Sequence, residues 1–231
     1  MNFKPIPNKF EYLNWQEIES IAKEKRSTVI WPFGAVEQHG PHLPLATDSI
    51  FVDDIISEVF KLLPADIPLK KLPTQYIGFS PEHKGFAGTI SLSSNLITSM
   101  IKEVGGQLSE MGFKRLILIN GHGGQISLLN TAARELRSFS PGMAVFPCFL
   151  WSGVNGLSEL LTKTEIEDGL HASLAETSLM PWLTDDFSKS GVIGDSRGAN
   201  ESLGKNLKEL LINHWFKLIM NLMQSDWPNN S

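Results

Sequence analysis

The chain has 231 residues, of which 42% are hydrophobic and 19% are charged, a composition typical of a globular protein with a sizeable core. Its net charge of −5, with no basic run longer than residues 23–26, argues against nucleic acid and anionic membrane surfaces as partners. Because the N-terminus lacks the apolar stretch of a signal peptide and no segment has membrane-spanning length, we expect a cytoplasmic protein.

Hydrophobic periodicity predicts helices that alternate with strands. In chain order it predicts a helix over 15–23, a strand over 28–33, a helix over 49–63, a short strand over 69–72, a long loop over 76–89, a helix over 92–111, a strand over 115–120, a helix over 126–139, a strand over 144–150 and helices over 174–183 and 201–223. Asn14 and Glu17 have the pattern of a capping box, and Ser93 or Ser94 is the expected cap of the helix over 92–111.

The predicted strands are apolar throughout, which is typical of strands that are buried on both faces. We therefore predict an α/β fold, with a single domain over 1–231, a core over about 10–223, and a largely parallel β-sheet flanked by helices on both faces. In such sheets, sites lie beyond the carboxyl ends of the strands. The single cysteine, Cys148, lies in an apolar run and is predicted to be a core thiol rather than a nucleophile.

Potential metal ligands crowd the loop that follows the strand over 28–33. Glu37, His39, His42 and Asp48 fall within residues 37–48. Residues two apart in an extended segment point to the same side, so Glu37 and His39 can face one point. Carboxylates mixed with imidazoles suit zinc, manganese or iron(II), whereas calcium prefers oxygen ligands alone.

Asp48 and the histidines of this loop also have alternative interpretations in which they bind no metal. Asp48 directly precedes the predicted helix and could be its N-cap instead of a ligand, although one carboxylate can fill both roles. His42 lies between two prolines and suits the support of a ligand better than direct binding. The histidines could also do no more than hydrogen-bond the backbone of a polar loop.

Further candidates follow later in the chain. His122 follows the strand over 115–120 and is flanked by glycines, which suit either an anion-binding turn or a close approach to a metal. The segment lacks the lysine and the serine or threonine of a P-loop, so we favour the metal. Glu82 and His83 lie on the long loop over 76–89, and long loops in compact domains are often functional.

Four segments resemble the motifs of a known family. They are G-A-V-E-Q-H-G-P-H-L-P-L-A-T-D at 34–48, S-P-E-H at 80–83 with G-T-I-S at 88–91, N-G-H-G-G at 120–124, and H-A-S-L-A-E-T-S at 171–178. In this order they resemble the creatininase (creatinine amidohydrolase) family of metal-dependent amidohydrolases. No Gly-x-Ser-x-Gly elbow is present, which argues against a metal-independent hydrolase.

The resemblance implies a site with two divalent ions, of zinc, manganese or iron. It places Glu37 and His122 on one ion and His39 on the other, with Asp48 bridging both. A hydroxide held between the ions would then attack an amide carbonyl.

The resemblance also implies catalytic side chains. His171 matches a histidine that the family uses in catalysis and is predicted to be the proton donor, because an imidazole titrates near neutral pH. His83 is a further catalytic candidate, and Glu176 is predicted to be a ligand or an orienting base.

The predicted function is therefore the hydrolysis of a carbon–nitrogen bond other than a peptide bond, in a small-molecule amide or formamide, by an enzyme that forms a homo-oligomer. The alternative is a catalytically silent protein that keeps the fold and binds a metal or a small molecule.

One position departs from the family pattern. In creatininase a glutamate that binds the second ion follows the histidine of the N-G-H string by two residues, whereas this chain has Gly124 there. An ion that lacks a carboxylate is held weakly, so another carboxylate should reach it. Glu176 is the one that lies in a matching motif. We therefore expect Glu176 to bind the second ion and creatinine to be a poor substrate.

Overall fold

Four parallel strands form the centre of the fold in the computed structural model, which describes residues 8–169, 171–180 and 194–227. The strands are β1 (Thr28–Phe33), β2 (Leu69–Lys71), β3 (Arg115–Asn120) and β4 (Ala144–Phe149), in the spatial order β2-β1-β3-β4. The helices are α1 (Trp15–Ala22), α2 (Thr47–Leu62), α3 (Ser94–Met111), α4 (Ile126–Phe139), α5 (Leu157–Leu160), α6 (Lys163–Asp168), α7 (Leu174–Leu179) and α8 (Glu201–Gln224). Short 3-10 turns lie at Phe10–Tyr12, Pro81–His83 and Gly123–Gln125.

Helices cover both faces of the sheet, as predicted. Ile30 of β1 and Ile117 of β3 pack with the apolar sides of α2 and α8. Their neighbours Val29 and Leu116 point the other way and pack against α1, α3 and α4. Successive side chains of a strand alternate between faces, so an entirely apolar strand requires a core on each side.

The register brings the ends of three strands level. Phe33, the last residue of β1, pairs with Asn120, the last residue of β3, and Asn120 pairs with Phe149 at the end of β4. The loops that leave these strands therefore start side by side at one edge of the sheet.

Most predicted elements form, and the differences are local. The capping box of Asn14 and Glu17 is present, and Ser93 caps α3 through the amide of Leu96. Helix α2 begins at Thr47 rather than at the predicted residue 49, and the short helices α5 and α6 were not predicted. The helix predicted over 174–183 ends at Leu179, and residues 181–183 lie outside the described part of the chain. No helix among the described residues is long and apolar enough to span a membrane.

Helix α7 packs closely against α8 at Gly204. A Cβ atom at this glycine would overlap the backbone carbonyl oxygen of Ser178. Gly204 therefore sets the distance between the two helices, and α7 carries Glu176.

We expect Gly204→Ala to lower the free energy of unfolding by about 1–3 kcal/mol, because the added methyl group forces α7 and α8 apart. Gly106→Ala is the matched control, since a Cβ there meets nothing within 4 Å. This control should raise the free energy by about 0.5–1 kcal/mol through helix propensity alone. Chemical denaturation of both variants measures the difference, and equal effects of the two substitutions would contradict the close packing.

Candidate metal centre

The loops that follow β1 and β3 are tied together by amide side chains. Gln125 donates hydrogen bonds to the backbone oxygen of Gly34 (3.0 Å) and to Oδ1 of Asn120 (2.9 Å). Asn120 in turn accepts from the amide of His122 (2.9 Å) and donates to its carbonyl oxygen (2.6 Å). These bonds fix His122 relative to the loop that carries Glu37.

Asp48 lies at the centre of the candidate ligands and not at a helix cap. Helix α2 begins one residue earlier, its N-cap residue is Ala46, and no side chain caps it. The interpretation of Asp48 as an N-cap is therefore wrong. The carboxylate is buried in the first turn, with Oδ1 3.3 Å from Nε2 of His39 and Oδ2 3.1 Å from Nδ1 of His122. One oxygen faces each imidazole, which is the arrangement of a carboxylate that bridges two ions.

The carboxylate of Glu37 is fully buried, and imidazole nitrogens face it. Within the described residues, neither of its oxygens, nor Oδ2 of Asp48, has a hydrogen-bond partner other than an imidazole, which must be protonated to donate. Oε1 of Glu37 lies 3.1 Å from Nδ1 of His122 and 3.6 Å from Nδ1 of His171. A buried carboxylate is costly unless a cation neutralises it, either a protonated imidazole or a metal ion, so these oxygens fit metal ligands.

Three histidines share one pattern of contacts. Each places one ring nitrogen against a backbone carbonyl oxygen: His39 Nδ1 against Glu37 (3.1 Å), His122 Nε2 against Phe79 (3.0 Å) and His171 Nε2 against Gln38 (2.6 Å). The carbonyl accepts the N–H, which directs the other nitrogen of each ring towards the carboxylates. This is how metal-binding histidines are usually oriented.

The carboxylates control the protonation of two of these rings. Burial alone would lower the pKa of His39, but contact with Asp48 raises that pKa to about 9. Burial likewise opposes protonation of His122, while contact with Asp48 and Glu37 raises its pKa to about 11. A cation among these groups would take the place of the two protons.

Glu176 approaches the same ring nitrogen of His39 that faces Asp48. The turn before α7 contains Ala172 with φ 52, the only positive φ of a non-glycine residue in the described chain, and its amide donates to Oε2 of Glu176 (2.7 Å). This oxygen lies 3.9 Å from Nε2 of His39. Burial raises the pKa of Glu176 to about 7, and Asp48 adds to the rise while His39 opposes it.

His171 and His83 lie together beside Glu37. Their rings stack at 4.5 Å between centroids, and Nε2 of His83 lies 3.8 Å from Oε1 of Glu37. Burial and the charge of His39 lower the pKa of His171 to about 4, so its ring is neutral near pH 7.

The structure thus brings every predicted site residue together. Four groups of three side chains place possible ligand atoms within 4.8 Å of one another: Glu37, His39 and Asp48; His39, His171 and Glu176; Glu37, His83 and His171; and Glu37, Glu82 and His122. Which of these residues bind a metal, and which act in catalysis, stays a prediction.

Glu82 fills the space beside Gly124. A Cβ atom at Gly124 would overlap Oε1 of Glu82 and lie 2.7 Å from Nε2 of His122. Oε1 of Glu82 is 3.6 Å from this same nitrogen, on the side of the ring that is turned away from Asp48. The glycine therefore leaves room for a carboxylate that comes from the loop before α3.

Sequence reasoning did not single out Gln38, Asn120 and Gln125, although the first two lie within the motifs at 34–48 and 120–124, because an amide side chain is neither a typical metal ligand nor an acid or base. Gln38 lies between two imidazoles, with its Nε2 3.1 Å from Nδ1 of His83 and 3.0 Å from Nε2 of His171. His42 contacts Oγ1 of Thr177 at 3.0 Å and is absent from the ligand groups formed by the described residues. Cys148 is partly buried, and its burial raises the pKa of the thiol to about 11, which does not suit a nucleophile.

Comparison with known proteins identifies the family of this chain. The family model for creatininase, described as creatinine amidohydrolase, matches residues 11–183. The chain belongs to the creatininase family. The mycofactocin precursor peptide peptidase of Mycolicibacterium smegmatis is 31% identical over 203 residues, which are 80% of this chain and 81% of that protein.

This chain is also similar to a creatinine amidohydrolase in sequence and to a solved creatininase structure in fold. The creatinine amidohydrolase of Pseudomonas putida is 28% identical over 134 residues, which are 54% of this chain and 50% of that protein. A solved structure named for creatininase and manganese superposes with a TM-score of 0.78 at 22% identity, covering 94% of this chain and 99% of that one. The predicted fold is confirmed, and the chain is a hydrolase of this family with clustered candidate metal ligands.

We expect metal uptake near pH 7 to release about two protons per chain, because His39 and His122 must be neutral to bind a metal. Their pKa values of about 9 and about 11 mean that both rings are protonated at this pH without a metal. The release should fall as the pH rises through the pKa of His39. Calorimetry of zinc or manganese binding in two buffers of different ionisation enthalpy measures it, and uptake without proton release would contradict these ligands.

Proposed function

We propose that this creatininase-family chain is a hydrolase of amide carbon–nitrogen bonds that depends on two divalent metal ions. The observation that carries the proposal is the position of Asp48, whose two oxygens face different imidazoles. Glu37 and His122 would hold one ion, and His39 would hold the other, with Asp48 shared. Manganese, zinc and iron(II) all accept such mixed ligands.

The bound ions would lower the pKa of a water molecule and polarise an amide carbonyl. His171 is neutral near pH 7 and so can accept a proton at Nδ1, which faces Glu37, while its Nε2 stays on the carbonyl oxygen of Gln38. The proton can then pass to the departing nitrogen, so that His171 serves first as base and afterwards as acid. His83 stacks on this ring and limits its rotation.

The class of amide is the finer part of the proposal. The sequence predicted a bond other than a peptide bond, as in creatinine. A peptide bond is a second candidate, because relatives that match most of this chain are named as peptidases of a precursor peptide. Both classes share the carbonyl chemistry for which the side chains are arranged.

We expect Asp48→Ala to lose both ions, because one carboxylate serves the two positions. His171→Ala should retain about two ions per chain and lose turnover, as expected of a group that moves protons. Metal analysis of the purified variants tests the first part, and turnover of an amide found by screening formamides, cyclic amides and short peptides tests the second. A strong chelator should abolish that turnover and a divalent metal should restore it. Loss of metal from His171→Ala, with normal turnover after metal is restored, would reverse the assigned roles.

We expect Glu176→Gln to lose one of the two ions, because Glu176 supplies the carboxylate that position 124 lacks. Glu82→Gln is the matched control and should keep both ions, since Glu82 is 41% exposed and faces the outer nitrogen of His122, whereas Glu176 is 14% exposed and faces His39. The unmodified protein should hydrolyse creatinine poorly or not at all. Two ions in Glu176→Gln would refute the ligand role, and rapid creatinine hydrolysis would refute the substrate prediction.

A further inference from the structure

A cavity of about 670 Å³ opens beside the candidate metal centre, and a large part of its lining is apolar. Its large apolar side chains are those of Ile126, Phe149, Trp151, Leu157, Leu161 and Ile166, which we call the apolar wall. They come from the start of α4, the end of β4 and the region of α5 and α6. The same cavity is lined by Glu37, Asp48 and His122, so the wall and the metal ligands share one space.

Part of the apolar wall packs against a small hydrophobic core. Leu161 is buried in a small core with Ala175 and Leu207, and Trp151 and Leu157 pack against that core. These contacts connect Trp151, Leu157 and Leu161 of the wall to α7 and α8. Such preformed apolar surfaces next to a few polar groups are typical of small-molecule sites.

Glu165 of α6 also lines the cavity, and its carboxylate is hydrogen-bonded to the start of α7. Both carboxylate oxygens of Glu165 accept hydrogen bonds, one from Oγ of Ser173 (2.6 Å) and one from the amide of Ala175 (2.9 Å). Glu165 therefore holds the start of α7.

A small polar ring amide would contact the metal ligands but leave the apolar wall in water. From this mismatch we infer that the substrate is an amide with a large apolar group, aliphatic or aromatic, next to the bond that is hydrolysed. The inference rests on the proposed function, because it takes the metal centre as the place of the reacting bond. Burying such a group on the wall stabilises the complex in proportion to the apolar area removed from water.

Hydroxamic acids test the inference without the natural substrate, because they bind metal ions and can carry an apolar group on either side. The probes are acetohydroxamic acid, phenylpropionohydroxamic acid with the group on the acyl side, and N-phenethyl acetohydroxamic acid with the group on nitrogen. We expect one of the phenyl compounds to bind the metal-loaded protein about 10- to 100-fold more tightly than acetohydroxamic acid, as measured by calorimetry.

Two substitutions by aspartate test whether the preference for a phenyl hydroxamic acid depends on the apolar wall. Ile166→Asp places a charge on the wall and should abolish the preference for the phenyl compound while leaving acetohydroxamic acid binding unchanged. Leu218→Asp is the control on α8, outside the cavity lining, and should keep the preference. The two side chains are matched in exposure, at 43% and 44%, so both variants should fold.

The outcomes separate the inference from the function on which it rests. Equal binding of all three probes, or a preference that survives Ile166→Asp, would overturn the apolar substrate and leave the metal centre intact. If no probe binds because the protein takes up no metal, the proposed function fails and the inference fails with it.

Discussion

The carboxylate of Asp48 is buried between two imidazoles, with one oxygen directed at each, and the rest of the site is arranged around it. Glu37 adds a second buried carboxylate, whose Oε1 lies 3.1 Å from Nδ1 of His122. Burying a carboxylate away from water costs several kcal/mol even after relaxation of the protein. Two buried carboxylates whose oxygens lie within 4.8 Å of each other therefore require positive charge between them. Protons on His39 and His122 can supply that charge, and divalent ions can replace them.

The register of the sheet brings the metal-ligand candidates close together. Strands β1 and β3 end level, so the loops that carry Glu37 and His122 start side by side, and Gln125 ties one loop to the other. Asp48 comes from the first turn of α2. Glu176 comes from α7, which Gly204 holds close to α8. The register of the sheet, the hydrogen bonds of Gln125 and the packing of α7 on α8 therefore set the positions of the ligands.

The sequence predicted the parts of this arrangement that depend on local pattern. Strands β1 and β3 and helix α4 were predicted to the residue, because each strand is a short apolar run that a glycine follows, and α4 lies between Gly124 and Pro141. The start of α2 was missed because no side chain caps it, and α5 and α6 are too short to show a period. The hydrogen bonds of His171 with the carbonyl oxygen of Gln38 and of Gln125 with Gly34 join segments that are distant in the sequence. The cavity wall was missed for the same reason, since its residues come from separate elements.

The central claim is that Asp48 lies between two metal ions, and anomalous diffraction tests it most directly. Crystals grown with zinc or manganese and measured at the absorption edge of that metal locate each ion without any assumption about activity. We predict two anomalous peaks flanking the Asp48 carboxylate, one beside Glu37 and His122 and the other beside His39 and Glu176. A single peak in the fully loaded protein, or two peaks that do not share Asp48, would contradict the account.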